Sequence, residues 1–214
     1  MIEDFLTLRR HMVEIQIRRR GIVDQRVLRA FEEVPRHLFV PERSRYMAYE
    51  DMPLPIGHDQ TISQPYIVAL MTSLLALRGD ERVLELGTGS GYQAAILSKL
   101  AAEVQTVEII PELADRADGL LRELGYTNVH VHVADGTLGW PPAAPYPAII
   151  GTAAAPRIPP PLPGQLEDGG RLVMPVADDY QQLLKLITRR GDDYDERSIT
   201  SVAFVPMHGR HGWG

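Results

Sequence analysis

The chain has no cysteine among its 214 residues. Disulfides, thiolate metal sites and cysteine nucleophiles are thereby excluded. Long apolar runs are missing as well: no stretch approaches the ~20 residues that a membrane span requires. The opening MIEDFLTLRRHM carries acids early and lacks the apolar core of a signal peptide. Both features point to a cytoplasmic protein with no membrane partner. Basic residues are not in excess. Twenty-two Lys and Arg against 28 Asp and Glu leave a formal net charge of −6, which argues against nucleic acid as the partner. Arg9, Arg10, Arg18, Arg19 and Arg20 lie among Glu3, Asp4 and Glu14 and read as a solvated helix face. The seven histidines show no HExxH or other ligand spacing, so no metal site is expected. The length suits one domain, and nothing in the composition demands a partner subunit, so a monomer is expected.

Apolar spacing predicts a helix over 2–20, stopped by Gly21, and a second helix capped by Asp24 that carries Val27, Leu28 and Phe31. Residues 35–62 show little periodicity and read as a long structured loop, a length that in compact domains is usually functional. Ser63-Gln64-Pro65 opens a third helix that runs to Gly79, with Ser63 as the natural N-cap. Strands are then expected at 82–86, 104–108, 129–133, 147–152 and 171–176, and helices at 91–101 and 111–124. Residues 182–188 and 198–206 form a terminal antiparallel hairpin. The fold class that follows is α/β, a mostly parallel doubly wound sheet with helices on both faces. It is one domain over 1–214, with a helical and loop extension over 1–79 and the α/β core over 80–214. The proline-rich runs PPAAPYP and APRIPPPLPGQL read as rigid loops over the sheet.

The most informative stretch is VLELGTGSGYQ, residues 83–93. A buried strand ends in Glu85 and Leu86, and Gly87, Gly89 and Gly91 let the backbone turn sharply and approach a ligand. The dinucleotide fingerprint is GxGxxG; GTGSG preceded by an acid differs from it. Glu85 would repel a pyrophosphate and suits a cationic ligand. Glu108, closing VQTVE about 20 residues on, is placed to accept hydrogen bonds from ribose hydroxyls. The loop resembles the first motif of class I methyltransferases, whose cofactor is S-adenosylmethionine. By that resemblance Glu85, Gly87, Thr88, Gly89, Ser90, Gly91, Glu108 and Ile109 would bind the cofactor.

A wider resemblance runs from about residue 5 to residue 207. YEDMPLPIGHDQTISQPYIVALMTSLL, the glycine loop, VEIIPELADRA, LGYTNVHVHVADGTLGWP, TAAAPRIP, QLEDGGRLVMPV and VAFVPM resemble, in order and spacing, the protein-L-isoaspartate O-methyltransferases. The resemblance implies transfer of a methyl group from S-adenosylmethionine, leaving S-adenosylhomocysteine, to the free α-carboxylate of L-isoaspartyl residues in damaged proteins and peptides. The ester then closes to a succinimide, whose hydrolysis restores some aspartate. It also implies an active-site role for Ser63, with Thr61, Ile62, Gln64 and Val205 at the acceptor and Asp135 and Gly136 at the adenine. A carboxylate is already ionised at neutral pH, so no strong general base is needed and none of the usual triads is present. Three positions depart from the family pattern: Asp59 where glycine is usual, Ala134 in place of glycine, and Pro147 in place of aspartate. A carboxyl methyltransferase with another peptide acceptor, a non-catalytic S-adenosylmethionine-binding protein and a nicotinamide enzyme are the competing readings.

Overall fold

The computed structural model describes residues 4–178 and 180–213. Its centre is a seven-stranded sheet. In chain order the strands are β3 (Arg82–Leu86), β4 (Glu103–Glu108), β5 (Val129–Val133), β6 (Tyr146–Gly151), β7 (Leu166–Ala177), β8 (Gln182–Arg190) and β9 (Asp193–Val202). A separate two-stranded hairpin, β1 (Leu54–Gly57) and β2 (Gln60–Ile62), precedes them. Across the large sheet the order is β5-β4-β3-β6-β7-β8-β9. β3 through β7 pair in parallel; β8 and β9 are antiparallel. The chain winds outward from β3 to β5 and then returns to β6 on the other flank of β3. That reversal makes the carboxyl end of β3 a topological switch point, the place where open α/β sheets bind ligands.

Five α-helices are present among the described residues: α1 (Phe5–Met12), α2 (Gln25–Glu33), α3 (Pro65–Leu75), α4 (Tyr92–Ser98) and α5 (Pro111–Glu123). Their apolar faces join Val83, Val104, Ile150 and Val173 on one side of the sheet. Residues of opposite parity, Leu84, Leu86, Ile149, Leu172 and Met174, face the other side, as the period of two requires. That second face is covered by Tyr146, Leu162, Leu166 and neighbours from the proline-rich segment, which carries short 3-10 turns. Helices were expected on both faces; among the described residues the α-helices pack on one face, and loops with short 3-10 turns cover the other. No helix of the described residues is long and apolar enough to cross a membrane.

Several boundaries differ from expectation. The first helix is α-helical only over Phe5–Met12, then widens to a π turn at Val13–Ile17 and tightens to 3-10 at Arg18–Arg20 before Gly21. Residues 35–62 hold two 3-10 helices, Arg36–Phe39 and Glu42–Met47, and the β1–β2 hairpin. α3 stops at Leu75 because Ala76 turns left-handed, φ 51°, before Gly79 is reached. β7 begins five residues earlier than expected, and the last strand ends at Val202, so 203–206 leave the sheet. Pro147 sits where the β6–β7 register shifts, consistent with its missing N–H. Asp59 has φ 57° beside His58 at 52°, so the hairpin turn places two side-chain-bearing residues where glycine is the unstrained choice.

Candidate active site

A cavity of about 290 Å³ opens at the carboxyl ends of β3 and β4. Its walls come from Gln60, Thr61, Ile62 and Ser63, from Glu85 and the glycine loop, from Glu108 and Ile109, and from residues 204–208 of the tail. A second depression adjoins it, lined by Pro53, Gln64, Ile67 and residues 201–205. Thr61, Ser63, Thr152, Phe204 and Val205 line both.

The acidic pair sits as the sequence predicts, and each member is set differently. Glu85 is completely buried. Its Oε2 accepts from the Thr106 hydroxyl at 2.6 Å, and the Thr106 and Thr88 hydroxyls lie 2.7 Å apart. Its Oε1 has no hydrogen-bond partner. Burial pushes the Glu85 carboxyl up to about 8; the Thr106 hydroxyl opposes that rise and the nearby Glu108 charge adds to it. Glu108 is anchored by backbone donors, Gly89 N–H to Oε2 at 2.8 Å and Ile110 N–H to Oε1 at 3.0 Å. Each oxygen keeps a further lone pair for a hydroxyl.

The glycines divide into two groups. Gly87 has φ 98°, and a Cβ there would stand 2.5 Å from the Thr152 hydroxyl, which itself donates to Gly87 O at 2.6 Å. Gly89, φ 54°, faces Ile56 of the hairpin. Gly91 does not line the cavity: its missing Cβ makes room for Leu121 and Ala117 of α5, so it serves helix packing. Thr88, Ser90 and Ile109 are cavity residues as expected.

Asp135 is tied into the protein by contacts of its own. Gly136 lines the cavity and Asp135 does not. Oδ1 of Asp135 accepts from Thr137 N–H and hydroxyl at 2.9 and 2.6 Å, and Oδ2 accepts from Arg210 N–H at 2.7 Å. Burial alone would raise its pKa, but those donors, Arg210 first, hold it below the usual value. The carboxylate ties the tail to the turn after β5.

As an N-cap, Ser63 is a correction. The N-cap of α3 is Gln64, with no side-chain cap bond. Asp51 takes over that duty: its Oδ1 accepts from Tyr66 N–H at 3.4 Å, and its Oδ2 from Gln64 Nε2 at 2.7 Å and Arg20 Nη1 at 2.6 Å. Among the described residues the Ser63 hydroxyl makes no hydrogen bond, while its backbone carbonyl accepts from Arg36 Nη2 at 2.7 Å. Asp51, Arg36, Thr106 and Thr152 were missed from sequence. None of the four carried a clear signal: Thr106 stands among other polar residues in EVQTVE.

An unpartnered acidic oxygen on the wall, a glycine loop open to close approach and an anchored carboxylate fit a ligand bearing both positive charge and ribose hydroxyls. Comparison with known proteins agrees. Residues 7–212 match the family described as Protein-L-isoaspartate(D-aspartate) O-methyltransferase. Protein-L-isoaspartate O-methyltransferase 2 of Shewanella sediminis is 57% identical over 97% of this chain and 85% of its own length. A solved protein-L-isoaspartate O-methyltransferase superposes with TM-score 0.86 at 28% identity, over 95% of this chain and 67% of that one. A Plasmodium falciparum structure, titled as a putative enzyme of this kind in complex with S-adenosyl-L-homocysteine, has the same fold: TM-score 0.82, 24% identity, 94% of this chain and 98% of that one. The motifs, the fold and near-complete coverage converge: the chain belongs to the protein-L-isoaspartate (D-aspartate) O-methyltransferase family.

Proposed function

We propose a division of labour within the cavity for the family's reaction, methyl transfer from S-adenosylmethionine to the α-carboxylate of L-isoaspartyl residues. The observation that carries it is the shared wall: Thr61, Ser63 and Val205 face both the large cavity and the adjoining groove. Bound, S-adenosylmethionine supplies an electrophilic methyl group on a cationic sulfur. On this reading Glu85 answers the positive charge, Glu108 holds the ribose hydroxyls, and Gly87 through Ser90 with Ile109 and Gly136 shape the cofactor side. Asp135 with Gly136 meets the adenine end, and Asp135 also holds the tail turn at Arg210 in place.

The acceptor side is the groove. The unbonded Ser63 hydroxyl is a donor available to an incoming carboxylate, and Thr61 adds a second. Val205 is its apolar contact and Ile62 lines the cavity beside it, while Gln64 is held by Asp51 as part of the groove's frame. No base is required, because the acceptor arrives ionised. The chain's task is to aim one carboxylate oxygen and to exclude its water, that is, catalysis by proximity and desolvation. The partner is an isoaspartyl protein or peptide, and we assign the chain to a cytoplasmic monomer of one domain with no nucleic-acid role.

The test is methyl transfer from labelled cofactor to matched isoaspartyl and aspartyl peptides, using the native chain and Ser63→Ala. Base-labile label on the isoaspartyl peptide alone, with a raised peptide KM and unmoved S-adenosylhomocysteine affinity for Ser63→Ala, is the expected result. Unchanged peptide kinetics in Ser63→Ala would remove Ser63 from the acceptor site.

A further inference from the structure

Arg36 is among the largest side chains in the protein with no exposed surface. Arginine keeps its charge under essentially all conditions, and buried arginines ordinarily meet a carboxylate. Among the described residues none lies within ion-pair distance of this one: the salt bridges all involve other cations. Its donors go to two backbone carbonyls instead. Nε donates to Ala48 O at 2.7 Å and Nη2 to Ser63 O at 2.7 Å. The guanidinium carbon lies 4.9 Å from the ring centroid of Tyr92, the first residue of α4 and a lining residue of the cofactor cavity. Nη1 and the Tyr92 hydroxyl are both buried without a hydrogen-bond partner.

Those contacts place one rigid planar group among three separate pieces of chain. Ala48 follows the 3-10 helix Glu42–Met47 and leads to Asp51. Ser63 belongs to the segment between β2 and α3. Tyr92 belongs to the cofactor side. Asp51 grips Gln64 and Tyr66, so the acceptor segment is held at Ser63 by Arg36 and again just after it by Asp51. A core packing role alone would be served more cheaply by an apolar side chain, since a buried charge whose counter-charge, Asp51, lies beyond ion-pair distance is costly to hold.

We propose that Arg36 is a positioning residue for methyl transfer, holding the Ser63 carbonyl so that the Ser63 hydroxyl meets the acceptor carboxylate at the cofactor cavity. The inference rests on the assignment of Ser63 to the acceptor site. Arg36 touches neither substrate nor cofactor; it acts through the main chain of Ser63. Its positive charge also lies behind the segment that receives an anion, on the favourable side for binding.

The experiment compares Arg36→Lys, Arg36→Met and Ser63→Ala in the full chain. It measures kcat and KM for an isoaspartyl peptide and the dissociation constant of S-adenosylhomocysteine by calorimetry. For Arg36→Met we expect kcat/KM for the peptide to fall by roughly 10²-fold, the scale of a misplaced reacting group. S-adenosylhomocysteine affinity should stay within about twofold of the native chain. Arg36→Lys, which keeps the charge and can reach one carbonyl, should recover about tenfold of that loss. Equal losses in peptide turnover and cofactor affinity, or peptide kinetics unchanged in either arginine variant, would overturn the proposal. So would failure of both variants to fold with S-adenosylhomocysteine present, since Arg36 would then belong to the architecture alone. A Ser63→Ala chain with native kinetics would instead sink the acceptor assignment on which the inference rests, so the two failures are distinguishable.

Discussion

Replacing Glu85 by Gln should make the cofactor-free protein more stable, and by an amount that grows with pH. The reason is the proton inventory. An unfolded glutamate ionises near 4.5, whereas burial holds the folded carboxyl un-ionised up to about 8. Between those values the folded state binds more protons than the unfolded state, so stability falls as pH rises and is level on either side. A shift of roughly 3.5 pH units at 1.36 kcal/mol each sets an upper scale of about 5 kcal/mol lost by pH 8. His37 and His132 run the other way: burial depresses both, so stability is gained as pH rises through their range. They are common to both chains and cancel in the difference. Urea unfolding of the native chain and Glu85→Gln at pH 5, 6, 7, 8 and 9 gives that difference directly. It should be small at pH 5 and reach several kcal/mol, at most about 5, by pH 8 to 9. A flat difference, within about 1 kcal/mol across the series, would mean that Glu85 is ionised in the empty cavity and that its burial is relieved by water. Calorimetry provides a second arm. A cation in the cavity draws the carboxylate into its ionised form, so S-adenosylmethionine affinity should rise up to about tenfold per pH unit below 8 in the native chain and much less in Glu85→Gln.

Further outcomes follow from single contacts. Asp59→Gly should stabilise the protein by about 1 kcal/mol, raising Tm by ~2–4 °C in a calorimetric scan, because the turn already has φ 57° there; an unchanged or lower Tm would mean the strain is relieved elsewhere. Glu108→Ala removes the acceptor of the Gly89 and Ile110 N–H groups as well as the ribose contacts, and should raise the cofactor KM at least tenfold, at ~1–3 kcal/mol per lost charge-assisted bond. Steady-state kinetics with varied cofactor checks it. Gly87→Ala should abolish cofactor binding by calorimetry, since the new Cβ would lie 2.5 Å from the Thr152 hydroxyl in a φ 98° backbone; binding retained at native affinity would show that the loop can move aside.

What could be read from the chain was whatever a local pattern specifies. β3 and β5 fall at the predicted residues because a run of apolar or alternating residues bounded by turn formers has few other solutions. Asp24 caps α2 as expected, its Oδ1 accepting Arg26 N–H at 2.8 Å, because a cap is a contact across two residues. The glycine loop, Glu85 and Glu108 were legible for the same reason. Ser63 failed as a cap because Asp51, twelve positions earlier, arrives through the 36–53 loop and outcompetes it. The 3-10 helices at 36–47 have no strong periodicity to announce them. The sequence places 203–206 in the last strand, yet Ala154 N–H donates to Val205 O and Ala154 O accepts from Met207 N–H, which holds the tail at the cavity instead. The Arg210 N–H bond to Asp135 was not legible, because it joins residues 75 apart in sequence. The Ser63 cap and the tail are thus cases of a long-range contact overriding a local preference, whereas the 3-10 helices lacked a local pattern to read.

The two buried ionisable groups, Glu85 and Arg36, explain one another better than either does alone. Glu85 faces the cofactor cavity with one oxygen unpartnered, and Arg36 stands behind the acceptor segment with one nitrogen unpartnered. A free chain tuned only for stability would have paired such groups or replaced them, since a buried polar group left without partners costs more than apolar packing returns. Here the complements are external. The cofactor brings a positive charge to the Glu85 side, and the acceptor brings a negative one to the Arg36 side. Methyl transfer then neutralises both at once, turning a sulfonium into a thioether and a carboxylate into an ester. Before transfer, each substrate is held by the field it matches. Afterwards neither field has a charged partner, so S-adenosylhomocysteine should bind more weakly than S-adenosylmethionine at pH above 8, where Glu85 is ionised, and the gap should close below pH 7. Competition calorimetry across that range decides it: an affinity ratio independent of pH would mean that Glu85 does not sense the sulfonium, and the field argument would fail on the cofactor side.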